Sequence, residues 1–280
     1  MRPPFYIAEL PADESSAPSG ALSRAEGFPR PGRLSRPKAF PAHLAALLRG
    51  PAKSSSCASL PFNDPRVDAC LPGGGLPLGQ LHEIGAAGLD AETAALPTAF
   101  IAALLARVAP ARPVFWIAPV RDLHPPGLLP YGLDPNRLML VRPAKDVDTL
   151  AAMEVALREG VAGAVVGEVG QLDRTASRRL QLACLGHGST GFVLRRWAHG
   201  NRTTDREASV AITRWHLTAM PSVKDGKEPG LPRWHVALTH ARGGRPGEWI
   251  MEASDDATHP LRVVAALADH APEPRRVRLA

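Results

Sequence analysis

From Gly79 to about residue 200, short apolar runs alternate with longer amphipathic ones. The short runs have the length of strands, and the longer ones repeat their apolar positions with helical spacing. A chain patterned this way joins parallel strands through crossover helices. The pattern predicts strands at Leu81–Gly85, Val114–Ala118, Leu138–Val141, Ala162–Gly167 and Gly191–Leu194. It predicts helices over Ala95–Val108, Asp148–Glu159 and Thr175–Leu185, with a shorter one near Leu123–Tyr131. Pro97 must sit in the first turn of its helix or kink it. The expected fold is α/β, with a mostly parallel sheet and helices on both faces.

Beyond residue 200 the runs become longer and strictly alternating, at Ser209–Ala219, Arg233–His240 and Glu248–Glu252, with turns rich in Gly and Pro between them. They suit an antiparallel extension at one edge of the sheet. A last helix is expected over Pro260–Asp269. Residues 1–40 are dense in Pro, Gly, Ser and Arg and hold too little apolar surface to offset ordering entropy, so they are expected to form a disordered or loosely attached tail. One domain then spans 41–270, entered through a short helix at Ala42–Leu48 and a turn at Asn63–Pro65. Residues 271–280 form a basic tail bearing Arg275, Arg276 and Arg278.

The stretch Leu71–Glu92, LPGGGLPLGQLHEIGAAGLDAE, lays out the frame of a nucleotide-binding P-loop. A working loop reads Gly-x-x-x-x-Gly-Lys-Ser/Thr: backbone N–H groups cradle the phosphates, the lysine neutralises them and the hydroxyl holds Mg²⁺. Counted from Gly85, with Gly88 inside the loop, the closing positions are Asp90, Ala91 and Glu92. Two carboxylates at that place repel a polyphosphate. No lysine occurs between Lys53 and Lys145, so no shift of register supplies one. The chain keeps the frame of a nucleotide site without its chemistry, and no bound cofactor is expected.

Among 280 residues there are 33 basic and 27 acidic ones, for a net charge of +6; five of the basic residues are lysine, which leaves 28 arginines. That balance permits contact with a phosphate backbone or an acidic partner, and a biased genomic base composition would produce it equally well. Cys57, Cys70 and Cys184 are too few and too scattered for a disulfide framework or a Cys-x-x-Cys metal site, which implies a reducing compartment. The histidines show no paired metal-ligand spacing. No apolar run reaches the ~20 residues that span a bilayer. A soluble, cytoplasmic protein without metal is expected.

The segment GGGLPLGQLHEIG, with the loop and helix after it, resembles the start of the RecA recombinase core, and the order of elements stays in step for about 120 residues. That resemblance implies a catalytic Glu just after the second strand, where FWIAPVRDL places Val120 and offers nothing acidic before Asp122. It also implies a Walker B Asp ending a later apolar strand. Here AGAVVGEVGQLD puts Gly167 in that slot and Glu168 one residue late, which turns Glu168 to the other face of the strand. Without the Lys, the hydroxyl, the Glu and the Asp, the chain is not expected to be an ATPase.

Three blocks, PGLLPYGLDPNRLMLVRP, VVGEVGQLDRTASRRLQLA and WHVALTHARGGRPGEWIME, are together similar to the ImuA family, RecA-like accessory proteins once grouped with SulA-like inhibitors. The likeness covers roughly residues 60 to 255. It implies a non-catalytic adaptor in SOS mutagenesis and translesion DNA synthesis. The implied partners are an ImuB-like polymerase homologue and a second DnaE-type polymerase complex, with RecA as a further one. Two other readings stand beside it: a SulA-like or RecA-directed filament inhibitor, and an ATP-dependent recombinase binding single-stranded DNA. A RecA core meets single-stranded DNA through two loops, and the second survives here as WAHGNRTTDREA. Arg195, Arg196, Trp197, Arg202 and Arg206 are the candidate contacts to DNA or a partner, through guanidinium pairing and stacking. Arg178 and Arg179, after the N-cap candidate Asp173, read as decoration of an exposed helix face.

Overall fold

The computed structural model describes residues 6–9, 58–86, 88, 93–196, 209–223, 230–254, 256 and 260–267. In chain order the elements are β1 (Tyr6–Glu9), β2 (Ser59–Leu60), α1 (Pro65–Asp68), β3 (Leu76–Pro77), β4 (Leu81–Ala86), α2 (Ala95–Leu105), β5 (Val114–Ile117), β6 (Leu138–Arg142), α3 (Asp146–Glu159), β7 (Ala164–Val169), α4 (Arg174–His187), β8 (Thr190–Arg195), β9 (Thr213–Met220), β10 (Arg233–Ala241), β11 (Gly247–Ala253) and β12 (Leu261–Leu267). Short 3-10 turns at Pro125–Tyr131 and Pro135–Arg137 lie between β5 and β6.

Ten strands form one sheet in the order β1-β6-β5-β7-β8-β4-β9-β10-β11-β12. Pairing is parallel from β1 through to β9 and antiparallel from β9 to β12. The α/β expectation of a mostly parallel sheet with helices and an antiparallel extension therefore holds. β4 lies inside the sheet between β8 and β9 and ends, with the other parallel strands, at the sheet's carboxyl edge.

Strand alternation sorts the core into two layers. One face carries Ile84, Trp116, Val166, Leu194, Trp215, Trp234 and Trp249 beneath α2. The other carries Leu81, Phe115, Val165 and Val193 beneath α3 and α4, which contribute Met153, Leu157, Leu180 and Cys184. The first layer continues under the antiparallel extension; the second ends near β4. α2 is buried almost all round, from Ala99 to Leu105, and so lacks a polar stripe. Pro97 takes its first turn, where a missing N–H costs nothing.

Helix ends follow local chemistry. Asp173 caps α4 by accepting from the Ala176 N–H at 2.6 Å, and Gly188 closes it at φ 72°. Gly160 closes α3 at φ 65°. The chain leaving α2 is closed from a distance. Arg137 donates to the carbonyls of Leu105, Val108, Ala109 and Arg112 at 2.9 to 3.1 Å, so one guanidinium serves acceptors that the helix itself leaves open.

Two expectations are corrected. The helix foreseen at Pro260–Asp269 is instead β12, paired with β11 with Arg262 opposite Glu252. The run LRVVAAL fits either period over so short a length, and the free edge of β11 decides it. Within residues 1–40, expected to form a disordered or loosely attached tail, Tyr6–Glu9 forms β1 and pairs in parallel with β6 from Tyr6↔Met139 to Glu9↔Arg142. Four residues are too few to show a period, and the ladder is supplied by the neighbouring strand. The helix expected at Ala42–Leu48 and the tail at 271–280 lie outside the described residues. Among the described residues no helix is long and apolar enough to cross a membrane.

Candidate functional site at the carboxyl edge of the sheet

β5, β7 and β8 end side by side, with Trp116↔Val166 and Glu168↔Leu194 in register. Gly167 and Glu168 do alternate, and their faces can now be named. A Cβ on Gly167 would overlap the Met153 side chain of α3, so this position points at that helix and glycine leaves room for the methionine. Glu168 takes the opposite face, the one covered by α2, and is 1 % exposed. The acidic residue facing that layer is therefore Glu168, and the slot assigned to Gly167 faces away from it.

A carboxylate placed there needs partners. Trp116 Nε1 donates to Glu168 Oε1 at 2.6 Å, and Arg196 Nη1 donates to Oε2 at 2.6 Å. The same guanidinium reaches Asp122, with Nη2 at 2.5 Å from Oδ2. Arg196 is anchored in turn by its own N–H to the Val169 carbonyl at 2.9 Å. Burial pushes the Glu168 carboxyl above its ordinary range, with the Arg196 charge and the Trp116 hydrogen bond pulling the other way. The guanidinium holds Asp122 below its usual value. Val120, at the position where a catalytic Glu would be sought, is exposed. Beside it Trp116, Leu123, Leu140 and Arg142 line a shallow recess with room for little more than a water molecule.

A second buried pair stands on the other face. Glu83 of β4 meets Arg195 Nη1 at 3.2 Å and Arg214 Nε of β9 at 3.5 Å, while Arg195 Nη2 donates to the Gly170 carbonyl at 3.1 Å. Arg195 and Arg196, both candidates for DNA or partner contact, are thus turned to opposite faces by strand alternation and committed to internal carboxylates. Trp197, Arg202 and Arg206 lie outside the described residues, as do Asp90, Ala91 and Glu92. Gly85 is a strand residue, since β4 runs one position past it to Ala86, and Gly88 stands at φ 107°, a backbone setting that favours glycine.

His82, one residue before Glu83, was missed as a structural centre. It is fully buried, and its Nε2–H donates to the Pro77 carbonyl at 2.8 Å. With the ring's one proton on Nε2, Nδ1 accepts from the Thr213 hydroxyl at 2.7 Å, and Thr213 Oγ1 in turn accepts from Trp215 Nε1 at 2.8 Å. Both ring nitrogens are satisfied in one neutral tautomer, and burial lowers the pKa from 6.5 to about 4. The Arg196–Glu168 contact carried a fainter signal: a lone Glu in the apolar strand AVVGEV, and an Arg pair ending the strand beside it.

Two relatives, each named Protein ImuA, come from Caulobacter vibrioides strains NA1000 / CB15N and ATCC 19089 / CIP 103742 / CB 15. Both are 42% identical to this chain over 221 residues, covering 75% of it and 91% of the relative. The chain belongs to the ImuA family. No protein-family model matches it. Among solved structures, the crystal structure of SulA from Pseudomonas aeruginosa aligns with 42% of this ImuA-family chain and 98% of its own, at 27% identity and a TM-score of 0.38.

Proposed function

We propose that this ImuA-family chain is a non-catalytic RecA-like adaptor in damage-induced mutagenesis and translesion DNA synthesis, acting through an ImuB-like polymerase homologue and a DnaE-type polymerase complex. Family membership supports the pathway. The RecA-like reading draws support from β4, an interior strand followed by α2 and ending at the carboxyl edge, where open α/β sheets hold phosphates.

The observation that carries the non-catalytic reading is Glu168. Phosphoryl transfer needs a carboxylate at this edge that is free to order Mg²⁺ and water. Here that carboxylate is bound by Trp116 and by a guanidinium that also holds Asp122. The cation at the site is covalently part of the protein. The sequence adds that no lysine stands between Lys53 and Lys145.

Purified protein is therefore expected to show neither ATP turnover nor binding of a fluorescent ATP analogue, with or without single-stranded DNA, and to co-purify with the ImuB-like protein. Robust turnover that Glu168→Ala abolishes would overturn the reading.

A further inference from the structure

The flanks of α4 differ. Toward α3, Arg179 bonds Glu154 at 2.5 Å. Away from α3, Ser177 Oγ accepts from the Val210 N–H at 2.8 Å, and Gln181 Oε1 accepts from the Leu81 N–H at 3.1 Å. Arg174, Arg178 and Leu185 stand three or four residues from Ser177 or Gln181 and share that second flank, and Leu182 stands four residues beyond Arg178 at its crest. Leu182 is 59% and Leu185 54% exposed, among the most exposed large apolar side chains described. The stripe from Arg174 to Leu185 is about 17 Å long at 1.5 Å per residue.

Several other surface arginines pair with the chain's own carboxylates. Arg158 and Arg179 share Glu154, Arg233 and Arg262 share Glu252, and Arg66 takes Asp64. Arg174 and Arg178 form no ion pair among the described residues, and they flank leucines that water surrounds. Exposed leucines bordered by positive charge that no described carboxylate pairs fit an apolar surface bordered by negative charge.

We propose that this flank of α4 docks an acidic amphipathic helix of a partner protein. That helix would be about three turns long, with large apolar residues at three- and four-residue spacing and Asp or Glu beside them. The apolar side chains cover Leu182 and Leu185, and the carboxylates meet Arg174 and Arg178. The inference deepens the adaptor reading and rests on it only in naming the ImuB-like protein as the bearer of the helix.

The test uses the full chain and two labelled synthetic helices of equal length and identical leucine pattern, one with glutamates and one with lysines flanking the leucines. The acidic helix is expected to bind, more weakly as salt rises. The double variants Leu182→Ser/Leu185→Ser and Arg174→Glu/Arg178→Glu are each expected to weaken it at least about tenfold. Leu129→Ser, at an exposed leucine in the 3-10 turn, is expected to leave it unchanged. No binding of the acidic helix, equal binding of the basic one, or indifference to both double variants overturns the proposal. Adding the ImuB-like protein then separates the two readings. Displacement of the helix supports both. Helix binding without displacement keeps the surface and removes that protein as its occupant, and failure of the ImuB-like protein to bind the wild-type chain at all counts against the adaptor reading alone.

Discussion

The carboxyl edge of the parallel sheet and the outer flank of α4 use the same residue types to opposite ends. At the edge, Arg196 is spent on Glu168 and Asp122, and Arg195 on Glu83, all within the fold. On the flank, Arg174 and Arg178 are exposed beside Leu182 and Leu185. Strand alternation imposes the first arrangement: successive residues at a strand end must enter one core layer or the other, and a charged one must find its complement there. The helical period permits the second, because one face of a helix is left over after packing. An arginine turned inward is thus neutralised within the fold, and an arginine left outside beside bare leucine is what the proposed partner helix would meet.

The largest effect should come from breaking the inward arrangement. Arg196→Met keeps much of the side-chain volume and strands the buried Glu168, which on the usual scale of broken buried pairs costs about 3–5 kcal/mol. The loss should depend on pH. Burial already raises the Glu168 carboxyl, and removing the opposing charge raises it further. A carboxyl whose folded pKa lies above its unfolded one loses stability as pH climbs past the unfolded value, about 4.3 for Glu. Denaturant titrations should find the variant near wild type at low pH and falling behind above it. Adding Glu168→Gln should flatten that difference, and a pH-independent deficit would show that the ion pair is not the cause.

Much of this architecture can be read from the chain before folding. The β4, β5, β6 and β8 strands announce themselves as apolar runs, and Asp173 marks the start of α4 because a cap depends on residues a few positions away. What stays hidden depends on distant neighbours. Nothing near Arg137 says that it will close the end of α2, some 30 positions back. β1 and β12 exist because a free strand edge accepts them, and a Glu168 placed one residue late says nothing of Trp116 or Arg196 until β5, β7 and β8 are side by side.

A smaller effect, still on the sealed side of the comparison, is expected at His82. Its folded pKa of about 4 lies below the unfolded 6.5, so the unfolded chain takes up the proton first as pH falls. Stability should therefore be full above 6.5 and be lost as pH drops toward 4, by about 3 kcal/mol at the low end. His82→Gln should remove that part of the slope whatever it does to the plateau. If unfolding free energy against pH has the same slope in this window for both proteins, the buried neutral ring is not what titrates.

The smallest stability change is expected on the open flank, and there its smallness is the point. Leu182 and Leu185 are mostly surrounded by water, so Leu182→Ser and Leu185→Ser forfeit little burial and should each cost about 0.5 kcal/mol, roughly the difference in helix propensity. Arg178→Ala should be nearly neutral, since Ala is the better helix former and no ion pair among the described residues is lost. Thermal unfolding should place all three close to wild type and far from Arg196→Met. A drop on the Arg196→Met scale would mean that the leucines are packed against the chain itself. The difference between edge and flank would then be one of degree, with no vacancy left for a partner.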